Sequence, residues 1–129
     1  MGAGEAIAQR LQWCESLEPL LAKAAGNDLD IIKAEVMENK AQLWALSGAA
    51  KGYVVTRVES YDSYKELVIV LGVGSGAKAG IEWVKRLAKS YGIESIRTHI
   101  KRPGLARMYK AAGFYQREIV MGLDCGIEK

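Results

Sequence analysis

Gly72, Gly74 and Gly76 stand at alternate positions between an apolar segment and a helical pattern, and glycines with this spacing could form a ligand-binding site. A glycine-rich turn between a strand and a helix leaves backbone N–H groups unpaired at the positive end of the helix dipole, where anions bind. Phosphate groups can approach such a backbone closely where Cβ atoms are missing. We therefore predict an anion site at this turn. A flexible turn without a ligand is the alternative.

Two common phosphate-binding motifs do not fit the turn. A dinucleotide-binding GxGxxG motif needs its third glycine one residue later and a carboxylate at the end of the next strand, where "SIRTHI" has none. A P-loop needs Gly-Lys-Ser/Thr, but Gly76 is followed by Ala77 and Lys78. The glycines alone therefore do not identify the ligand.

Charge and composition narrow the class of protein. The chain has 129 residues and a net charge of +3, and half of its residues are hydrophobic, as in an ordinary single globular domain. No stretch approaches the ~18 continuous apolar residues of a membrane span, which predicts a cytoplasmic protein. Lys and Arg concentrate in residues 78–117, but no interleaving of aromatic and basic residues supports nucleic-acid binding. Cys14 and Cys125 stand alone, so we predict buried thiols and no metal site.

The periodicity predicts an α/β fold. Two helices come first, followed by a β-β-β-α-β-α-β order in a mixed sheet. The three consecutive strands are expected to be antiparallel, and the later strand–helix–strand unit requires a parallel pair. The predicted helices cover residues 5–25, 27–38, 81–91 and 103–112, and the predicted strands cover residues 41–47, 53–60, 66–72, 95–100 and 114–124.

The segment "ARMYKAAGF" (residues 106–114) resembles the GNAT acyltransferase superfamily, in which a helix ends with a Tyr and Gly-Phe follows four and five residues later. The order of elements over residues 41–124 is similar as well. The resemblance implies that acetyl-CoA lies in a gap between the central strand and its parallel neighbour, with its pyrophosphate on the glycine turn. The implied cofactor-binding residues are Leu71, Gly72, Val73, Gly74, Ser75, Gly76 and Ala77.

The sequence departs from that superfamily at three places. Ile69 to Leu71 supply only apolar side chains where an Arg or Gln should open the pyrophosphate turn, Arg102 stands where Asn is common, and the first strand before the helices is absent. A closer resemblance is to small GNAT-like proteins of tailed phages, which begin with two helices. Two segments carry this resemblance, "AQLWALS" and "KRPGLARMYKAAGF". It implies one domain over residues 1–129, with a helical part over 1–40 and the acyl-CoA core over 41–124.

The resemblance also implies catalytic roles. Amine acetylation needs an acid for the leaving thiolate and a base for the ammonium proton. Tyr109 resembles the superfamily's acid, and packing on the inner face of its helix is the alternative. Glu59 and Glu66, next to the strand hairpin, are predicted as bases, or else as solvated carboxylates. His99 is predicted as a polar residue at the end of a strand.

The predicted function is that of an acyl-CoA-binding N-acetyltransferase with an unknown amine acceptor. The alternative is a catalytically inactive phage structural or interaction protein with the same fold, as a homo-oligomer or a virion component. The missing Arg or Gln at position 71 favours that alternative.

Overall fold

The computed structural model describes residues 4–99, 103–117, 121 and 123. Its five-stranded sheet has the spatial order β1-β2-β3-β4-β5. Neighbouring strands from β1 to β4 are antiparallel, and β4 and β5 are parallel. The predicted mixed α/β sheet is therefore confirmed. Its strands are β1 (Ala6–Leu11), β2 (Gln42–Gly48), β3 (Lys51–Ser60), β4 (Lys65–Ser75) and β5 (Ser95–Thr98).

The prediction of a helix over residues 5–25, with no strand before it, is wrong. Strand β1 pairs with β2 along its whole length, and helix α1 begins only at Glu18, with Pro19 in its first turn. The spacing of Ile7 and Leu11 suggested a helical stripe, yet Ile7 is 66% exposed. The small side chain of Ala6 faces the core instead. Pairing with β2 overrides the local pattern, so residues 1–40 are not wholly helical.

Helices cover both faces of the sheet. Helices α1 (Glu18–Ala25) and α2 (Leu29–Met37) pack on β2, β3 and β4 through a core that includes Leu43, Val55 and Leu71. We call this side the helix-pair face. Helix α3 (Ala77–Ser90) packs on the opposite side, the α3 face, where Trp83 meets Leu67.

The elements after β4 lie close to where they were predicted. Gly92, with a φ of +69°, follows the end of α3, and helix α4 spans Pro103–Ala111. A strand was predicted over residues 114–124. Residues 114–117, 121 and 123 carry no strand, and the rest of that stretch lies outside the described residues.

Two further observations bear on the composition. Cys14 is exposed, contrary to the prediction of a buried thiol, because it lies in the connection between β1 and α1. Within the described residues, every helix is too short or too polar to span a bilayer.

Candidate active site

Strand β4 runs past the end of its parallel neighbour. Its pairing with β5 extends from Glu66 opposite Ser95 to Ile69 opposite Thr98, and β5 then ends. Strand β4 continues to Ser75, held by β3 alone. Residues 70–75 therefore present an edge without a strand partner among the described residues, and alternate N–H and C=O groups along such an edge are free to bind another extended chain.

A β-bulge lies at the point where the two strands part. Val55 pairs with Leu71 and Thr56 pairs with Ile69, so Val70 is an extra residue in β4. A bulge bends the strand that carries it and increases its twist. The bend follows directly after the last pair between β4 and β5. It therefore accounts for the direction in which β4 leaves its neighbour.

The gap opens into a cleft of about 950 Å³. Residues 68–77 form one wall of the cleft, and α3 and α4 add residues on the α3 face. Residues of α1 and α2 line the cleft on the helix-pair face. The cleft is thus lined from both faces of the sheet, as a site for two reactants would be.

The start of α3 offers backbone donors to this cleft. Gly76, with a φ of +78°, is the residue before the helix, and no side chain caps it. The N–H of Gly80 bonds to the carbonyl oxygen of Gly76, which leaves the N–H groups of Ala77, Lys78 and Ala79 without intrahelical acceptors. The first turn has no acidic residue. This geometry suits an anion.

The predicted turn is largely strand, because Gly72 and Gly74 lie in β4 and only Gly76 separates β4 from α3. The three glycines have two different reasons to lack side chains. A Cβ on Gly74 would overlap the carbonyl oxygen of Lys51, and one on Gly76 would overlap that of Ala49. Both glycines also have positive φ values, +130° and +78°. The close approach of β3 therefore requires Gly74, and that of the β2–β3 turn requires Gly76, whatever the ligand. A Cβ on Gly72 would make only an ordinary contact, with Val54 at 4.0 Å.

Tyr109 of α4 lines the cleft and packs against the core of the α3 face. Gly113, with a φ of +100°, turns the chain after α4 so that the Phe114 N–H bonds to the Tyr109 carbonyl oxygen. The two rings then meet edge to face at 5.0 Å. This contact explains the Tyr–Gly–Phe spacing in the sequence. Burial raises the pKa of Tyr109, and a hydrogen bond with Thr98 opposes that rise.

Glu66 lies on the helix-pair face at the start of β4 and is 1% exposed. Ser95 and Arg117 donate hydrogen bonds to it, the latter at 2.6 Å, and Arg97 lies 3.3 Å away. Burial opposes ionisation, but the hydrogen bonds from Ser95 and Arg117 outweigh it and lower the pKa of Glu66. Glu66 is therefore a buried, ion-paired carboxylate and not the solvated one of the alternative prediction.

Glu59 lies opposite Glu66 in the β3–β4 pair, and both carboxylates form ion pairs with Arg97. It accepts hydrogen bonds from Arg57 and Arg97 at 2.8 Å each and from Tyr61 at 2.7 Å. The Tyr61 hydrogen bond, opposed by partial burial and reinforced by the two arginines, lowers the pKa of Glu59 to about 2.

We call these side chains and their partners the ion-pair cluster. Its members lie at alternate positions of three strands, on α2 and after α4, and neither Glu59 nor Glu66 is among the residues that line the cleft. Sequence reasoning missed the arginines, although their spacing two residues from an acid or serine on β3 and β5 indicates a shared face. The members are Glu35, Arg57, Glu59, Tyr61, Glu66, Ser95, Arg97 and Arg117.

Solved structures of acetyltransferases share this architecture. A GCN5-related N-acetyltransferase from Ralstonia eutropha JMP134 aligns over 94% of this chain and 99% of its own, with a TM-score of 0.64 and 13% identity. The chain has the fold of the GCN5-related N-acetyltransferases. A protein described as a probable acetyltransferase aligns over 97% of this chain and 99% of its own, with a TM-score of 0.67 and 9% identity.

A third similar structure was solved with a ligand. It is described as a predicted acetyltransferase with acetyl-CoA from Clostridium acetobutylicum, and it aligns over 93% of this chain and 96% of its own at a TM-score of 0.60 and 12% identity. No family model matches the sequence, and no curated protein matches it. Identities this low establish the acetyltransferase fold alone.

Proposed function

We propose that this protein, as a single domain over residues 1–129, binds acetyl-CoA in the cleft and transfers the acetyl group to an amine. The observation that carries the proposal is the unpaired edge of β4 over residues 70–75, which begins at the bulge and leads to the start of α3. An extended pantetheine chain carries amides that can pair with such an edge.

The residues of the cleft fit this ligand. Gly72 lines the cleft without a side chain, and the free N–H groups of Ala77, Lys78 and Ala79 suit a pyrophosphate. Leu71 contributes no charge, so backbone groups and the helix dipole provide the anion binding here. Leu71, Val73 and Ser75 would act through their backbone. Gly74 would act by the close approach of β3, and Gly76 by that of the β2–β3 turn.

Tyr109 is proposed as the acid. Its burial keeps the hydroxyl protonated, and its place on the α3 face of the gap lets it donate a proton to the thiolate that leaves. Glu59 and Glu66 are weak bases where they stand, because the arginines and Tyr61 hold them ionised. We propose that both carboxylates have a structural, bracing role: their ion pairs stabilise the strands next to the gap.

The test combines a binding and a rate measurement. Calorimetric titration of the folded protein with acetyl-CoA should show saturable binding. With a panel of primary amines, Tyr109→Phe should lower the rate of thiol release by about 10²–10⁴-fold with acetyl-CoA affinity nearly unchanged, since only the proton is lost. The exposed Tyr91, outside the cleft, provides the matched control Tyr91→Phe. Unchanged turnover in Tyr109→Phe would remove the tyrosine from catalysis.

A catalytically inactive structural or interaction protein, of the phage type and within a virion, is the second candidate. Two observations favour it: Leu71 replaces a charged or amide residue, and Glu59 and Glu66 are held in ion pairs. Absence of acetyl-CoA binding by the folded protein would decide for this candidate.

A further inference from the structure

Acetyl transfer to an ammonium group requires a base, and the ion-pair cluster does not supply one. Glu59 and Glu66 each accept hydrogen bonds from arginine, and neither lines the cleft. Glu35, which does line the cleft, is bonded to Arg57. The base has to be another group near the gap.

The two faces of β5 differ in what they contact. Ser95 and Arg97 reach the carboxylates on the helix-pair face. Ile96 packs in the core of the α3 face, and Thr98 hydrogen-bonds with Tyr109 there. His99 follows Arg97 by two positions, directly after the last pair of β4 with β5, and is one of the residues that line the cleft. Extending the alternation of β5 by one residue assigns the imidazole to the helix-pair side of the gap, across from Tyr109.

We propose that His99 is the base that deprotonates the acceptor amine. The inference rests on the proposed function and extends it to a residue that stands on the opposite side of the gap from the acid. An amine that enters from the helix-pair face meets His99 before it reaches the acetyl group, while the sulfur leaves toward Tyr109. His99 is the one histidine among the described residues that line the cleft. Histidine is the residue type most often used as a general base.

In the proposed reaction, protons move through His99 and Tyr109. The His99 imidazole takes one proton from the ammonium group and passes it to water. The freed nitrogen lone pair forms a bond to the acetyl carbon, the carbon–sulfur bond breaks, and the sulfur takes a proton from Tyr109. The nitrogen then loses a second proton to water as the amide forms, and Tyr109 recovers its proton from water. One proton is released for each acetyl group transferred.

Two nucleophiles distinguish a base from a structural residue. At neutral pH n-butylamine is almost entirely charged and must lose a proton before it attacks, whereas hydroxylamine is largely uncharged. Thiol release from acetyl-CoA, corrected for the reaction without protein, would be measured for wild type, His99→Gln and the control Lys89→Gln, an exposed α3 residue outside the cleft. His99→Gln should be slowed about 10²–10⁴-fold with n-butylamine and stay close to wild type with hydroxylamine. Added imidazole should restore part of the n-butylamine rate in His99→Ala.

The other outcomes are decisive as well. Equal losses with both nucleophiles would make His99 structural and overturn the proposal. A wild-type protein that binds acetyl-CoA in calorimetry but does not acetylate n-butylamine would also overturn it, while acetyl-CoA binding would stand. A folded wild-type protein that does not bind acetyl-CoA would overturn the proposed function itself.

Discussion

The two halves of β4 differ in nearly every physical respect. Residues 66–69, the closed half, lie between β3 and β5, and Glu66 is buried and ion-paired there. Residues 70–75, the open half, pair with β3 and with no other described strand, carry two glycines and face a cleft. The bulge at Val70 separates the halves. The closed half holds β3, β4 and β5 together at the point where the open half begins. One strand therefore contributes both to the stability of the sheet and to the proposed binding site.

Removing the central carboxylate of the closed half should have the largest effect. Glu66→Ala leaves Arg97 and Arg117 without their buried partner, and loss of one member of a buried ion pair costs about 3 kcal/mol or more. Urea denaturation measures the change in unfolding free energy. The matched control is Glu82→Ala, which breaks the exposed pair with Lys85 and should cost at most about 1 kcal/mol. Equal costs for the two variants would contradict the proposed bracing role.

The open half should respond differently at its two glycines. Gly74→Ala places a Cβ against the Lys51 carbonyl at a φ of +130°, which should destabilise the fold by about 2 kcal/mol. Gly72→Val places its Cβ in ordinary contact with Val54, at 4.0 Å, and should nearly preserve the unfolding free energy while it weakens acetyl-CoA binding. Urea denaturation and calorimetry of both variants separate the two reasons for glycine. Similar destabilisation by both substitutions would show that the distinction is wrong.

Lowering the pH should reduce the stability that the ion pairs of the closed half contribute. The pKa of Glu59 is about 2 in the folded protein and about 4.3 in an unfolded chain, so its contribution is fully present above the unfolded value. That contribution is lost as the pH falls from about 5 to about 2. The pKa of Glu66 is lowered in the same direction. Urea denaturation over this range should show a steeper loss of stability for wild type than for Glu59→Gln, and parallel curves would argue against the ion pairs of Glu59.

The sequence predicted a strand over residues 66–72, which is confirmed, but it predicted a turn at Gly72, Gly74 and Gly76, whereas β4 continues to Ser75. The Tyr109–Phe114 spacing marked the end of α4, because that signal is local. The partners of Glu66 are distant in sequence, and only the sheet register brings Ser95 opposite it. Strand β1 was missed for a similar reason: its pairing with β2 decides its conformation, while its apolar residues match a helix.

The central claim is that the open half of β4 binds acetyl-CoA along its free edge. Amide hydrogen exchange with and without acetyl-CoA tests this claim most directly, since it reports each segment separately. We predict slower exchange over residues 70–77 in the presence of acetyl-CoA and little change over residues 66–69, which already pair with β5. Saturating acetyl-CoA that leaves residues 70–77 unprotected, or that protects another part of the chain instead, would contradict the claim.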